Sequence, residues 1–239
     1  MITGIVVALS EELSTLTTKQ IAKGCCVFIS DTIVVAYSGA GADNARSASE
    51  LLIVQGATRL ISWGCAAALS KTLNPGDLVL ADRLIDAKGA AIDVHSGWHG
   101  HAKNLLSSAL KTNTGSLAES LSIVASGKDK KRLHSQTGAV ALDMESIAIA
   151  KVAKQHALPF LAIRAIADPV DMDLPKAVNH SINDQGDIVI GKLLLFIALH
   201  PGELPGLIKL GLHFNAAKNT LKRVAEQLKH LTASAGQDR

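Results

Sequence analysis

The run Phe160-Leu161-Ala162-Ile163-Arg164-Ala165-Ile166-Ala167-Asp168 reads as a strand buried on both faces, because apolar residues fill successive positions instead of alternating with polar ones. Such strands belong to sheets covered by helices, and Pro159 and Pro169 bracket this one. Working outward, residues 2–9, 25–29, 32–37, 59–65, 77–85 and 121–125 are further short apolar runs expected to be strands. Helical patterns cover residues 43–55 and 145–157, and Ser10 is expected to cap a helix opening on Glu11 and Glu12. Phe214, Ala217, Leu221, Val224, Leu228 and Leu231 form one apolar stripe at helical spacing. Pro201, Gly202, Pro205 and Gly206 are expected to restrict the apolar residues from Leu204 to Leu212 to short helical pieces near the surface. The pattern predicts one α/β domain over residues 1–231 and a small, polar, disordered tail at 232–239.

Composition narrows the function classes. A chain of 239 residues with 48% hydrophobic and 19% charged residues can bury a substantial core. A formal charge of +3 and 3% aromatic residues offer neither a strong phosphate field nor base-stacking platforms, so nucleic acid is set aside as a partner. The three cysteines, Cys25, Cys26 and Cys65, are an odd number and two are adjacent, which fits reduced thiols and a cytoplasmic location. The opening residues lack a basic region, as a signal peptide would have, and the apolar stretch at 188–199 is interrupted by Lys192 and too short to span a bilayer.

The chemistry-bearing residues lie where strands end. Asp168 closes the apolar run, and Ala141-Leu142-Asp143-Met144-Glu145-Ser146 delivers Glu145 at the start of a helix. Ligands of open α/β sheets bind beyond the carboxyl ends of strands. A carboxylate there is partly desolvated, so it can carry a proton near neutral pH. Asp168 before Pro169 also fits a turn, and Glu145 also fits a helix-dipole charge. Ser38-Gly39-Ala40-Gly41, between a strand and a helix, can offer backbone N–H groups to an anion, with Arg46 in the first helical turns beside it. Asn44 takes the place of the third glycine of a dinucleotide fingerprint, which disfavours NAD. His95, His99 and His101 lack a companion motif of metal spacing, so no metal is expected, and they read as a loop near a substrate mouth. Cys65 reads as packed, not nucleophilic, and Lys128, Lys130, Lys131 and Arg132 as a solvated helix face.

In this order the pieces resemble the purine and uridine phosphorylase family, which includes the methylthioadenosine and S-adenosylhomocysteine nucleosidases. The most specific matches are Asp143-Met144-Glu145-Ser146 and Arg164-Ala165-Ile166-Ala167-Asp168, and the similarity runs from Gly4 to about Gly191. Supporting matches are Gly4-Ile5-Val6-Val7-Ala8-Leu9-Ser10-Glu11-Glu12, the Ser38–Gly41 loop, Gly64-Cys65-Ala66-Ala67-Ala68-Leu69 and Pro75-Gly76-Asp77-Leu78-Val79. The resemblance implies a single-domain three-layer α/β/α fold around a mixed sheet, a purine nucleoside as small-molecule substrate, and a homo-oligomer. It further implies that Glu145 accepts hydrogen bonds from the ribose hydroxyls with Met144 against the sugar, and that Asp168 serves N7 of the departing base. Gly64 and Cys65 would line the substrate site, and Glu12 would orient an attacking water. No cofactor is implied, and phosphate is the expected co-substrate, at Gly39, Gly41 and Arg46. Cys65 and Ala67 depart from the usual loop residues, and Ser62 stands where many phosphorylases carry a phosphate-binding arginine. Ala167 replaces a common serine, and Ser126-Gly127-Lys128-Asp129-Lys130 lacks the aromatic that often stacks on the base. Among branches, the loop at 86–98 and the insertion at 199–207 are similar to the hopanoid-associated phosphorylases, implying adenine release from a lipid-linked nucleoside and peripheral membrane contact.

Overall fold

The computed structural model describes residues 1–181 and 190–233. Its sheet strands are β1 (Ile2–Val7), β2 (Cys25–Ser30), β3 (Ile33–Tyr37), β4 (Ala57–Ala68), β5 (Leu78–Ile85), β6 (Ala91–Asp93), β7 (Thr112–Glu119), β8 (Ala141–Asp143) and β9 (Phe160–Asp168). The helices are α1 (Ser10–Leu13), α2 (Ala42–Val54), α3 (Ser96–Ser107), α4 (Gly127–Thr137), α5 (Ser146–Gln155), α6 (Lys176–Ser181), α7 (Ile190–Leu199), α8 (Leu204–Glu226) and α9 (Leu228–Ala233). Parallel pairs (β1 with β3 and β4, β4 with β9) combine with antiparallel ones (β2 with β3, β5 with β9), so the sheet is mixed. Each face of the sheet has its own apolar layer. Ala45, Ala48 and Leu52 of α2 and Ile147 to Ala153 of α5 cover one face. Leu13, Trp98, Leu106, Leu221 and Leu231, from α1, α3, α8 and α9, cover the other. This is the three-layer single domain that the family resemblance implied.

The detail that makes a site is a fork at the end of β4. That strand pairs in parallel with β9 along most of its length, but its last residues also pair with β8. Ala67 therefore faces Leu142 on one side and Asp168 on the other. Strand β9 in turn pairs with β5, β5 with β7 and β7 with β8, closing a ring of strands around this end. The two acid-bearing segments are brought to the same edge by this closure.

Several expectations are corrected. The strand expected at 121–125 is β7, which lies earlier in the chain, and Leu121 is 73% exposed. Its polar start, Thr112-Asn113-Thr114-Gly115-Ser116, hid it, because it is held by backbone pairing to β5 more than by apolar side chains. Ser10 is the first residue of α1 and Leu9 is its cap; the Leu9 N–H is satisfied by the Glu12 carboxylate at 3.1 Å. The histidine segment is no loop: His95 caps α3, accepting from the Trp98 N–H, and Trp98 is buried. The residues after Leu204 form one continuous helix, with Pro205 in its first turn, where no N–H is needed. Thr232, placed in the tail by sequence, is buried in α9, and its carbonyl accepts from buried Arg59. The remainder of that tail, 234–239, lies outside the described residues, as does the part of the apolar stretch 188–199 before Ile190.

Candidate active site

Arg164, on β9, is the centre of the site. It is buried, and its Nη2 meets Asp143 Oδ2 at 2.5 Å, Ser62 Oγ at 2.5 Å and Ser146 Oγ at 3.1 Å. Ser62 thus belongs to a buried polar lattice under the site. Burial disfavours the guanidinium charge, but Asp143, Glu145 and Glu12 together hold its pKa above the usual value.

Glu12 reaches this cluster from α1. Its Oε2 accepts from the Leu9 N–H at 3.1 Å and its Oε1 from the Cys65 N–H at 2.7 Å, with the residue only 3% exposed. Glu12 is thus no solvated charge on the first helical turn. Burial pushes its pKa from 4.5 up to about 7, against the pull of Arg164 and the Cys65 N–H. Such a carboxyl group can exchange a proton at neutral pH. Gly64 makes the approach feasible: a Cβ there would lie 2.4 Å from Arg164 Nη1 and 2.6 Å from Glu12 Oε1. Gly64 thus leaves room for the side chains of Arg164 and Glu12. Cys65 contributes its backbone N–H, while burial, followed by the Glu12 charge, raises its thiol pKa well above the usual range. The thiol stays protonated.

Glu145 caps α5, but its carboxylate turns to another helix. Oε1 accepts from the Gly41 N–H at 3.0 Å, and Gly41 takes a φ of 98° that favours glycine. Burial, with Asp143 nearby, raises the Glu145 pKa, opposed by Arg164 and the Gly41 N–H. The anion held by this glycine loop is therefore the protein's own carboxylate. Met144 beside it is half-buried. Ser38 braces the loop by donating to the Val7 carbonyl at 3.0 Å, and a Cβ at Gly39 would overlap the side chain of Lys23. Arg46 is exposed on α2 and lines a groove with Lys151, Lys154 and Gln155 of α5.

Asp168 ends β9 in a second, separate arrangement. Its Oδ1 accepts from Lys130 Nζ at 2.6 Å; the side chains are 12% and 0% exposed. Burial raises the Asp168 pKa and Lys130 opposes the rise. Lys130 is the residue that sequence reasoning misplaced. Lys128, Lys131 and Arg132 are exposed as expected, but Lys130 points inward from α4 and also donates to the carbonyls of Met172 at 2.8 Å and Pro169 at 3.1 Å. Nothing in a run of basic residues marks which one turns inward. Arg164 and Asp143 were visible inside the two motifs, but their pairing was not.

Fold and site define an α/β protein that gathers buried carboxylates at the forked end of a mixed sheet. The profile of the phosphorylase superfamily matches residues 3–192, and the chain belongs to that family. It is 26% identical over 155 residues to the 5′-methylthioadenosine/S-adenosylhomocysteine nucleosidase of Staphylococcus epidermidis, covering 57% of this chain and 68% of the relative. Among solved structures, futalosine hydrolase of Helicobacter pylori superimposes with a TM-score of 0.71 at 20% identity, covering 96% of each chain. The 5′-methylthioadenosine/S-adenosylhomocysteine nucleosidase of Neisseria meningitidis, in complex with methylthio-immucillin-A, also gives 0.71, at 21% identity over 95% of this chain and 98% of that one. No helix among the described residues is long and apolar enough to cross a membrane.

Proposed function

We propose that the protein cleaves the N-glycosidic bond of a purine nucleoside by hydrolysis. The observation that carries this reading is Glu12: a buried carboxyl group, pushed to about pKa 7 and oriented by the N–H groups of Leu9 and Cys65, beside Glu145 and Arg164. Ionised Glu12 takes a proton from water as that water attacks the anomeric carbon. Glu145 accepts the ribose hydroxyls, and Asp168 supports the base as it leaves. The sugar acquires positive charge as the bond breaks, and a surplus of carboxylates over the single Arg164 stabilises it. The similarity to nucleosidases supports the same class.

Phosphorolysis, the acceptor that the hopanoid branch suggests, has one observation in its favour: the Lys23 side chain lies over Gly39 of the glycine loop. Against it, Gly41 already holds Glu145, and phosphate would meet like charge. The lipid-linked substrate and the contact with a membrane or a second copy of the chain rest on an apolar face. Leu195, Leu199, Leu204, Ile208 and Leu212 are 45–69% exposed, on α7 and on α8, whose Gly206 packs against Pro175 in the segment following Asp168. A panel of adenosine, methylthioadenosine and a 5′-alkylated adenosine, each with and without phosphate, tests all of this. Free ribosyl sugar at equal rates without phosphate is expected. Dependence on phosphate with a sugar 1-phosphate product overturns hydrolysis, and a preference for adenosine over the alkylated substrate removes the lipid reading.

A further inference from the structure

A lysine with no water contact is costly unless its charge and all three donors are matched. Lys130 meets that condition with Asp168 Oδ1, Met172 O and Pro169 O, so its ammonium binds three points on the segment that leaves β9. One oxygen of Asp168, Oδ1, is thus committed to the ammonium. The charged groups facing Asp168 are Lys130 from α4 and Asp173 from the segment after β9, while β4 presents uncharged Ala67. Asp173 is itself tied to the Gly127 N–H at 2.7 Å, at the start of the helix that carries Lys130. The Lys131–Asp171 pair links the same two elements farther out.

We propose that Lys130 is a positioning residue for Asp168: its ammonium fixes which carboxylate oxygen meets the purine and sets the pH at which that carboxyl group ionises. The proposal rests on the reading of Asp168 as the group that serves the leaving base. Positive charge at 2.6 Å makes the carboxyl a stronger acid than burial alone would leave it, so proton donation to N7 becomes easier.

The test uses the full chain labelled with carbon-13 at the aspartate carboxyl groups. The Asp168 resonance is identified by its loss in Asp168→Asn. In Lys130→Met its titration midpoint is expected to move upward by about 1 to 3 pH units. Lys130→Arg should restore a midpoint close to the original, because the charge is retained. With adenosine and methylthioadenosine as probes, Lys130→Met should lower kcat ~10-fold or more, and should cost nothing further in the Asp168→Asn background. An unmoved midpoint, or equal losses in both backgrounds, overturns the proposal and leaves Lys130 a packing residue. Should Lys130→Met fail to fold, Lys130→Gln gives the same readouts. Full turnover by Asp168→Asn would instead remove the leaving-group reading, and the titration would still judge the hold of Lys130 on Asp168.

Discussion

Around Arg164, three carboxylates from different elements (Glu12, Asp143 and Glu145) share one guanidinium; at Asp168, one carboxylate meets one ammonium. Both sites are buried, and they lie on the same strand, but their charge balances differ. In the first, Asp143 claims Arg164 at 2.5 Å, and Glu12 and Glu145 are left with only partial compensation. Burial therefore carries the Glu12 pKa to about 7 and raises that of Glu145 as well. In the second the balance is one to one, so the ammonium tempers what burial does to the acid. The difference separates a group suited to taking a proton from water from one suited to a departing base.

The hardest blow to this contrast is expected from Asp168→Asn. The amide keeps the volume and its oxygen can still accept from Lys130, but it cannot transfer a proton to the base. Turnover should fall by about 10³ to 10⁴, with substrate affinity changed much less, as steady-state kinetics with the true substrate would show. Near-normal turnover would mean that the paired carboxylate is structural.

Glu12→Gln should lose ~10² in rate, and should abolish the rise in rate as Glu12 ionises through a pH of about 7. The same substitution has a stability signature. Burial raises the folded pKa of Glu12 above its ordinary 4.5, so the folded state binds more protons between 4.5 and about 7. Stability is then fully present below the lower value and is lost as pH rises through the upper one. Relative to the parent, Glu12→Gln should gain ~3 kcal/mol over that window in denaturant titrations. Parallel stability curves for the two proteins would show that Glu12 titrates normally.

The mildest change is expected for Cys65→Ser. The contact that orients Glu12 is the backbone N–H, which any residue other than proline supplies. The rate should change by only a few-fold, ~1 kcal/mol or less in barrier. A loss as large as that of Glu12→Gln would give the thiol a direct part in the chemistry.

How much of this was legible beforehand depended on whether a feature is local. The alternation of buried strands and amphipathic helices is written in nearest-neighbour pattern, so β1, β3, β9, α2 and α5 could be read within a residue or two. The pairing-dependent β7, with its polar start, could not. Glu12, Glu145 and Asp168 were visible as acids at strand ends and as parts of motifs. Gly39 and Gly41 were visible as an anion loop, but not as the loop that Glu145 would occupy.

By itself the sequence determined the α/β class, the two acid-bearing segments and the family, because periodicity and short motifs are properties of contiguous residues. Tertiary structure alone decided that Ala67 stands between Leu142 and Asp168, that Gly64 has no room for a side chain, and that Lys130 turns inward while Lys128, Lys131 and Arg132 face water. Charge balance at a buried site is summed over residues far apart in the chain, here 12 with 65 and 130 with 168, and it exists only once the sheet has closed around them.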